Sequence, residues 1–259
     1  MKKAFLLLLC VLPKLVFSQI PILKKETTWI KTNDSIYFEN SKPIFLYFFK
    51  ENFDIALPPM ETRNYENQAY LKPDSSFWVE GRTKICLQKT GLYFAQTDTS
   101  QMQGTSFLVV PNDFPKFSAI NNLIYSLAYI STNDEMNELK ISQKKIDLDR
   151  FWLNIGGNAE NTRLLIRKFY ENIRYANENF TDYKMGWKTD RGMIYTVFGK
   201  PDQIQEKENY QKWTYFNWNI DFEFVREPNF FTSSYLLIRK NNYQKFWNFA
   251  VVRWRQGIN

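Results

Sequence analysis

Apolar and polar residues alternate in short runs over the first half of the chain and recur at helical spacing through much of the second. Residues 20–112 read as strands: Thr27 to Lys31, Ser35 to Glu39, Pro43 to Lys50, Gln68 to Lys72, Ser76 to Glu80, Thr83 to Gln88, Leu92 to Thr97 and Thr105 to Val110. Asn33-Asp34, Pro58-Pro59, Pro73-Asp74, Gly81-Arg82 and Thr90-Gly91 punctuate them as turns, and Thr90-Gly91 is placed to close a hairpin. Short punctuated strands of this kind predict an all-β, sandwich-like domain over residues 19–113.

Asn112 to Pro115 marks a boundary, and residues 114–259 carry a different period. Ser118 is placed to cap a helix with Ile120, Leu123, Ile124, Leu127 and Ile130 on one stripe. Thr132 or Asn133 restarts a helix over Asp134 to Lys140, and Asp147 caps another with Leu148, Phe151 and Trp152 inward and Gly156-Gly157 at its end. A long helix follows from about Asn161 to Asn179. Its Leu165, Phe169, Ile173, Ala176 and Phe180 recur at spacings of 4, 4, 3 and 4, while Arg167, Glu171 and Arg174 form a solvated ladder on another face. Beyond residue 202 the pattern returns to strands: Gln203 to Glu208, Gln211 to Asn217, Ile220 to Val225, Tyr235 to Arg239 and Phe246 to Val252, an antiparallel meander. The fold class is therefore α+β: a sandwich-like N-terminal domain, a helical segment, and an α+β module with an antiparallel sheet.

Between the long helix and the meander lies GWKTDRGMIYTVFGKPD, Gly186 to Asp202. Gly186 is placed to end a helix in the left-handed conformation. Thr189 or Asp190 can cap a new segment. Met193, Ile194, Val197 and Phe198 give that segment an apolar face, and Gly199 and Pro201 stop it. Ile194 to Phe198 also suits a strand, but the caps favour a helix. Trp187 reads as a core anchor, with Arg191 pairing locally with Asp190 or Asp202.

This stretch resembles the signature of the GWxTD domain, a family of exported proteins found mostly in Bacteroidota. Gly186, Trp187, Thr189 and Asp190 stand at the named positions, followed by Arg191 and Gly192, then Gly199, Pro201 and Asp202 of a Gly-x-Pro-Asp. A Phe-Trp pair similarly precedes the signature helix in that family, where Phe151 and Trp152 stand. The resemblance brings no established activity. It makes these nine residues the candidate binding site, whether their part is structural or functional. The order helix, Gly-x-Pro-Asp and Trp-x-Tyr strand (Trp213, Tyr215) is also similar to the small lipoprotein domain of the outer-membrane β-barrel assembly machine, which implies binding to partner proteins.

The N-terminus sets the expected compartment. Lys2 and Lys3 precede the apolar run Ala4 to Leu12, and residues 1–18 read as a signal peptide cleaved after Ser18. Leu8 and Leu9 stand where lipidation at Cys10 would need small residues. Cleavage removes three lysines, leaving 31 basic against 27 acidic residues, a net charge of +4 spread along the chain. That mild balance gives no reason to expect nucleic acid. Only Cys86 remains, reading as a buried or half-buried thiol, so no intrachain disulfide is expected. No later run is apolar enough for a membrane helix.

With no histidine, the chain lacks Ser-His and Cys-His nucleophile pairs and the commonest metal ligand. No catalytic residue, metal site or cofactor is expected. The reading is a non-catalytic envelope protein of the periplasm or outer-membrane periphery that docks an envelope or outer-membrane protein. The alternative is a carbohydrate-binding or carbohydrate-cleaving protein, with Trp187, Trp213, Trp218 and Tyr215 stacking on sugar rings and Asp190 and Asp202 as paired carboxylates. Asp34-Ser35-Ile36 is similar to an O-glycosylation site of exported Bacteroidota proteins and also reads as a plain turn.

Overall fold

Central strands must be covered on both faces, and that requirement decides how the first half pairs. In the computed structural model, which describes residues 28–50, 53–61, 72–100, 103–228 and 233–258, seven strands precede the first helix. They are β1 (Trp29–Lys31), β2 (Ser35–Tyr37), β3 (Ile44–Phe49), β4 (Ser75–Val79), β5 (Lys84–Cys86), β6 (Gly91–Gln96) and β7 (Thr105–Val110). Five of them form a sheet in the order β1-β7-β6-β3-β4, with β1 parallel to β7 and the other pairs antiparallel. β2 and β5 form a separate two-stranded sheet. The expected hairpin across Thr90-Gly91 does not form. All six residues of β6 are buried, which calls for a long neighbour on each side, and the three-residue β5 cannot supply one. The signal peptide, and the expected strand Gln68 to Lys72 as far as residue 71, lie outside the described residues.

The two faces of the five-stranded sheet serve different cores, with strict period-2 alternation. Ile44, Leu46, Phe48, Tyr93, Ala95, Phe107 and Val109 pack with Ile36, Phe38 and Leu87 into a small core. Phe49, Leu92, Phe94, Leu108 and Val110 instead join the main core, which runs through every helix. The packing therefore does not break at the passage from sheet to helices. Phe114 is 1% exposed and meets Trp29 edge-on at 4.8 Å, and Asn177 Nδ2 donates to the Pro115 carbonyl at 3.0 Å. Cys86 departs from expectation: it is exposed, at the end of the short β5.

The helices are α1 (Ile120–Ser126), α2 (Asn133–Ser142), α3 (Lys145–Gly156), α4 (Ala159–Phe180), α5 (Asp190–Phe198) and α6 (Tyr243–Arg255). α2 begins with a capping box: Thr132 accepts from the Glu135 amide while the Glu135 carboxylate accepts from the Thr132 amide. Two expected caps are not used. Ala119 precedes α1 while the Ser118 hydroxyl bonds Asp113, and Lys144 precedes α3 while Asp147, in the first turn, pairs with Arg150. The apolar stripe of α4 is buried as its spacing predicts.

β8 (Gln203–Lys207), β9 (Tyr210–Tyr215), β10 (Ile220–Pro228) and β11 (Ser233–Leu237) form the antiparallel meander, in the order β11-β10-β9-β8. The last expected strand, Phe246 to Val252, is part of α6 instead. Tyr243, Trp247, Ala250 and Trp254 are buried at spacings of 4, 3 and 4, so tertiary packing of that stripe overrides the β propensity of the aromatic and branched residues. Arg255 then ties α6 to α2 through a two-pronged ion pair with Glu135, both contacts at 2.8 Å.

These contacts make a proteolysis prediction. Ser142 to Lys145 is half-buried to exposed and passes through Gln143 in a left-handed conformation, whereas Phe114 is buried. Limited digestion followed by mass spectrometry should cut within 142–145 and spare 112–115. Early cleavage at 112–115 would mean that sheet and helices separate more readily than their common core implies.

Candidate functional site

The signature is built by a close approach of backbones. α4 ends at Phe180, and Gly186–Lys188 forms a 3-10 turn that leads into α5. Gly186 does not take the left-handed conformation expected of it. Its need is for space: a Cβ there would lie 1.9 Å from the Ala176 carbonyl oxygen of α4. Gly192, in the first turn of α5, meets the same demand from the other side, because its Cβ would fall 1.8 Å from the Gly186 oxygen.

Hydroxyls and amides fix this stack. Thr181 Oγ1 accepts from the Gly186 amide at 2.8 Å and donates to the Asn177 carbonyl at 2.7 Å. Asn177 Oδ1 accepts from the Trp187 amide at 3.2 Å. Thr189 is the N-cap of α5, accepting from the Gly192 amide at 3.0 Å and donating to the Gly186 carbonyl at 2.7 Å. The helix expected over Met193 to Phe198 is present, and it includes Asp190.

Trp187 is the anchor it was expected to be. It is 2% exposed, meets Tyr129 and Phe117 edge-on at 6.1 and 6.4 Å, and its carbonyl accepts from the Tyr129 hydroxyl at 3.0 Å. Burial holds that Tyr129 hydroxyl well above its usual pKa, so it stays a donor.

Asp190 and Arg191 do not pair with each other. The Asp190 carboxylate accepts from the Leu237 amide at 2.8 Å and ion-pairs with Arg239 at 2.7 Å, with 7% and 13% of the two side chains exposed. Arg239 also donates to the Leu57 and Pro58 carbonyls at 2.7 and 2.6 Å, and the Lys188 carbonyl accepts from the Ala56 amide at 2.9 Å. Asp190 thus couples α5 to β11 and to the segment 53–61.

Arg191 lies between two rings, its guanidinium carbon 5.0 Å from the Phe180 centroid and 4.3 Å from that of Tyr235. Burial lowers its pKa, opposed by the charge of Asp182. Burial likewise raises the pKa of Asp182, opposed by a bond from the Ser234 side chain. The two groups share one desolvated corner of the module.

The Gly-x-Pro-Asp closes α5. Gly199 has φ +77°, the left-handed sign that glycine tolerates, and its carbonyl accepts from the Tyr215 hydroxyl at 2.8 Å. Pro201 is buried, and Asp202 Oδ2 accepts from the Phe216 amide at 2.7 Å. Asp190 and Asp202 stand at opposite ends of α5, separated by about 12 Å of helix. They do not face each other across a cleft, and Asp190 is already neutralised by Arg239. Of the four proposed stacking rings, Trp187, Trp213 and Tyr215 fill the core.

Trp218 is the exception. With Lys168, Asn172, Gly199, Phe249 and Arg253 it lines an open cavity of about 350 Å³ between α4, the end of α5 and α6. Sequence reasoning named Trp218 but missed Phe249 and Arg253, because it placed Phe249 on a strand. The one-sided stripe of α6 carried the signal. A second, larger groove of about 560 Å³ runs past Ala56, Pro58, Tyr129, Trp247 and Val251. Among the described residues no cluster of His, Cys, Asp or Glu is arranged to hold a metal ion, and no helix is long and apolar enough to cross a membrane.

The arrangement predicts that the signature acts on stability. Trp187→Ala should cost about 3–5 kcal/mol, as large-to-small core changes do. Asp190→Asn should cost a similar amount, since it strands the nearly buried Arg239 charge; removing one partner of a buried pair typically costs about 3–5 kcal/mol. A double-mutant cycle with Arg239→Met should show coupling of about 1 kcal/mol or more. Thermal or urea melts read all three, and wild-type melting of Trp187→Ala would mark the signature as a functional surface instead.

The family model for the GWxTD domain matches residues 91–256. It begins at the first residue of β6 and ends just beyond α6, taking in β6 and β7, all six helices and the meander. No curated protein and no solved structure matches the chain. With a match over more than half its length, carried by residues that build the turn between α4 and α5, this chain belongs to the GWxTD domain family.

Proposed function

We propose that the chain is a non-catalytic exported protein of the cell envelope, at the periplasm or outer-membrane periphery, that docks an envelope protein partner. The observation that carries this reading is how the polar signature groups are spent. Thr189 caps α5, Asp190 is paired with Arg239, and Asp202 holds the Phe216 amide. The signature thus builds a scaffold, and what it offers to solvent are surfaces. Trp78 and Phe77 are 61% and 40% exposed on β4, at the edge of the five-stranded sheet, and the apolar groove beside Tyr129 is open. Consecutive on the strand, the two rings face opposite sides of the sheet, so each face of this edge offers an apolar group to a partner. The similarity of the Gly-x-Pro-Asp and Trp-x-Tyr order to an outer-membrane assembly lipoprotein supports the same reading.

Export supplies the first check. Mass spectrometry of envelope fractions should find the mature N-terminus at Gln19, and an N-terminus that retains residues 1–18 would contradict it. Mild crosslinking of intact cells followed by pull-down should return a discrete envelope protein, lost on Trp78→Asp if β4 is the contact. Recovery of the chain alone would count against docking.

A second reading is favoured by one observation. Phe249, 56% exposed, and Trp218 line an open pocket rather than the core, as a carbohydrate-binding site would require.

A further inference from the structure

We propose that the pocket between the end of α5 and the last turns of α6 binds a carboxylated sugar, a uronic-acid unit of an acidic glycan. This rests on the carbohydrate-binding reading and specifies its ligand. Lys168 and Arg253 both line the pocket, and among the described residues no carboxylate does. Among the described residues, neither cation is ion-paired.

Arg253 is pre-positioned. Its guanidinium lies 5.8 Å from the Trp218 centroid, and Nη2 donates to the Ile258 carbonyl at 2.8 Å. Its Nε is buried without a partner, and Nη1 is engaged by no described residue. Nη1 is thus the group left to donate to a carboxylate, from a guanidinium already fixed in place.

Cations beside helix ends ordinarily serve to offset the carbonyl dipoles there. At the end of α5 neutral donors already do so. Asn172 Nδ2 bonds the Thr196 carbonyl at 3.2 Å, Trp254 Nε1 that of Val197 at 2.9 Å, and the Tyr215 hydroxyl that of Gly199 at 2.8 Å. Arg253, in the last turn of α6, also offsets the carbonyl end of its own helix, so Lys168 is the cation that neither helix end employs and that is left for an anion from outside.

The other walls select the body that carries the anion. Phe249 presents its ring to solvent, backed edge-on by Trp218 at 5.7 Å, and suits the C–H face of a pyranose. The Asn217 amide offers a donor and an acceptor, and Asn172 keeps a free oxygen, which matches hydroxyls rather than an apolar side chain. The cavity volume lies within the usual range for small-molecule sites, about 300–1,000 Å³.

The test is calorimetric titration of the full mature chain, with a panel of uronate trisaccharides (galacturonate, glucuronate, mannuronate) set against their neutral counterparts. At least one uronate should bind, more weakly as salt rises, while the neutral sugars do not. Arg253→Gln and Lys168→Gln should each weaken binding by about tenfold, and Phe249→Ala should abolish it. Lys168 and Phe249 are exposed, so their variants carry the test even if Arg253→Gln melts early. Neutral sugars bound as tightly, with Phe249→Ala abolishing it, would overturn the acidic ligand and leave the carbohydrate reading standing. Uronate binding indifferent to all three changes would overturn the site. Binding of no sugar would sink both.

Discussion

Two glycines six residues apart let three stretches of backbone come closer than any side chain permits. Gly186 lies against the Ala176 carbonyl of α4, and Gly192 of α5 lies against Gly186 in turn. The separation of α4 from α5, and with it the seat of the meander on both, is set by the absence of two Cβ atoms. Side-chain bonds around this contact do not create it; they fix its register. Thr181 and Asn177 take the amides of Gly186 and Trp187, and Thr189 satisfies Gly192 while holding the Gly186 carbonyl. The signature letters therefore divide by physical duty: glycine for approach, tryptophan for volume, threonine for the cap.

The aspartate has the remaining duty, which is reach. A carboxylate at the first position of α5 is favoured by the helix dipole, yet its two oxygens leave the helix for β11 and for Arg239. Through Arg239 the contact extends to the carbonyls of Leu57 and Pro58, well outside the family's matched region. One ion pair thus connects the turn, the meander and a segment from the N-terminal half. Such a pair adds little net stability over apolar residues of the same volume, but it is specific, because any other arrangement leaves a nearly buried charge alone.

Much of this was legible in the residues. The stripe of α4, the helix restarting at Thr132 or Asn133, the α5 helix and the four strands of the meander follow from period and cap chemistry. What was not legible has common causes. The sequence from Phe246 to Val252 is rich in β-formers, and only the buried ring of aromatics around Trp247 and Trp254 makes it helical. Gly186 looked like a helix terminator because sequence shows that a glycine is present, not whether space or dihedral demands it. Asp190 looked like a partner for its neighbour Arg191, although its true partner is distant along the chain. Arg191 found two aromatic rings instead, a choice set by how β11 passes α5. The open pocket escaped notice because Phe249 and Arg253 share a wall with Trp218 only once α6 is a helix.

The start of the family match has a physical reading in the sheet. β6 and β7 contribute Leu92, Phe94, Leu108 and Val110 to the same core as the helices, whereas their alternate residues face the small sheet of β2 and β5. A strand pair whose inner face is helical core belongs with the helices, and whatever covers its outer face is free to differ. The same reasoning separates scaffold from function in this chain. A signature whose polar groups are consumed internally holds the α4–α5 contact, irrespective of what is bound. Differences in task would then be written on surfaces that the signature positions but does not form: the edge of β4, the groove beside Tyr129, and the cationic pocket at the end of α5.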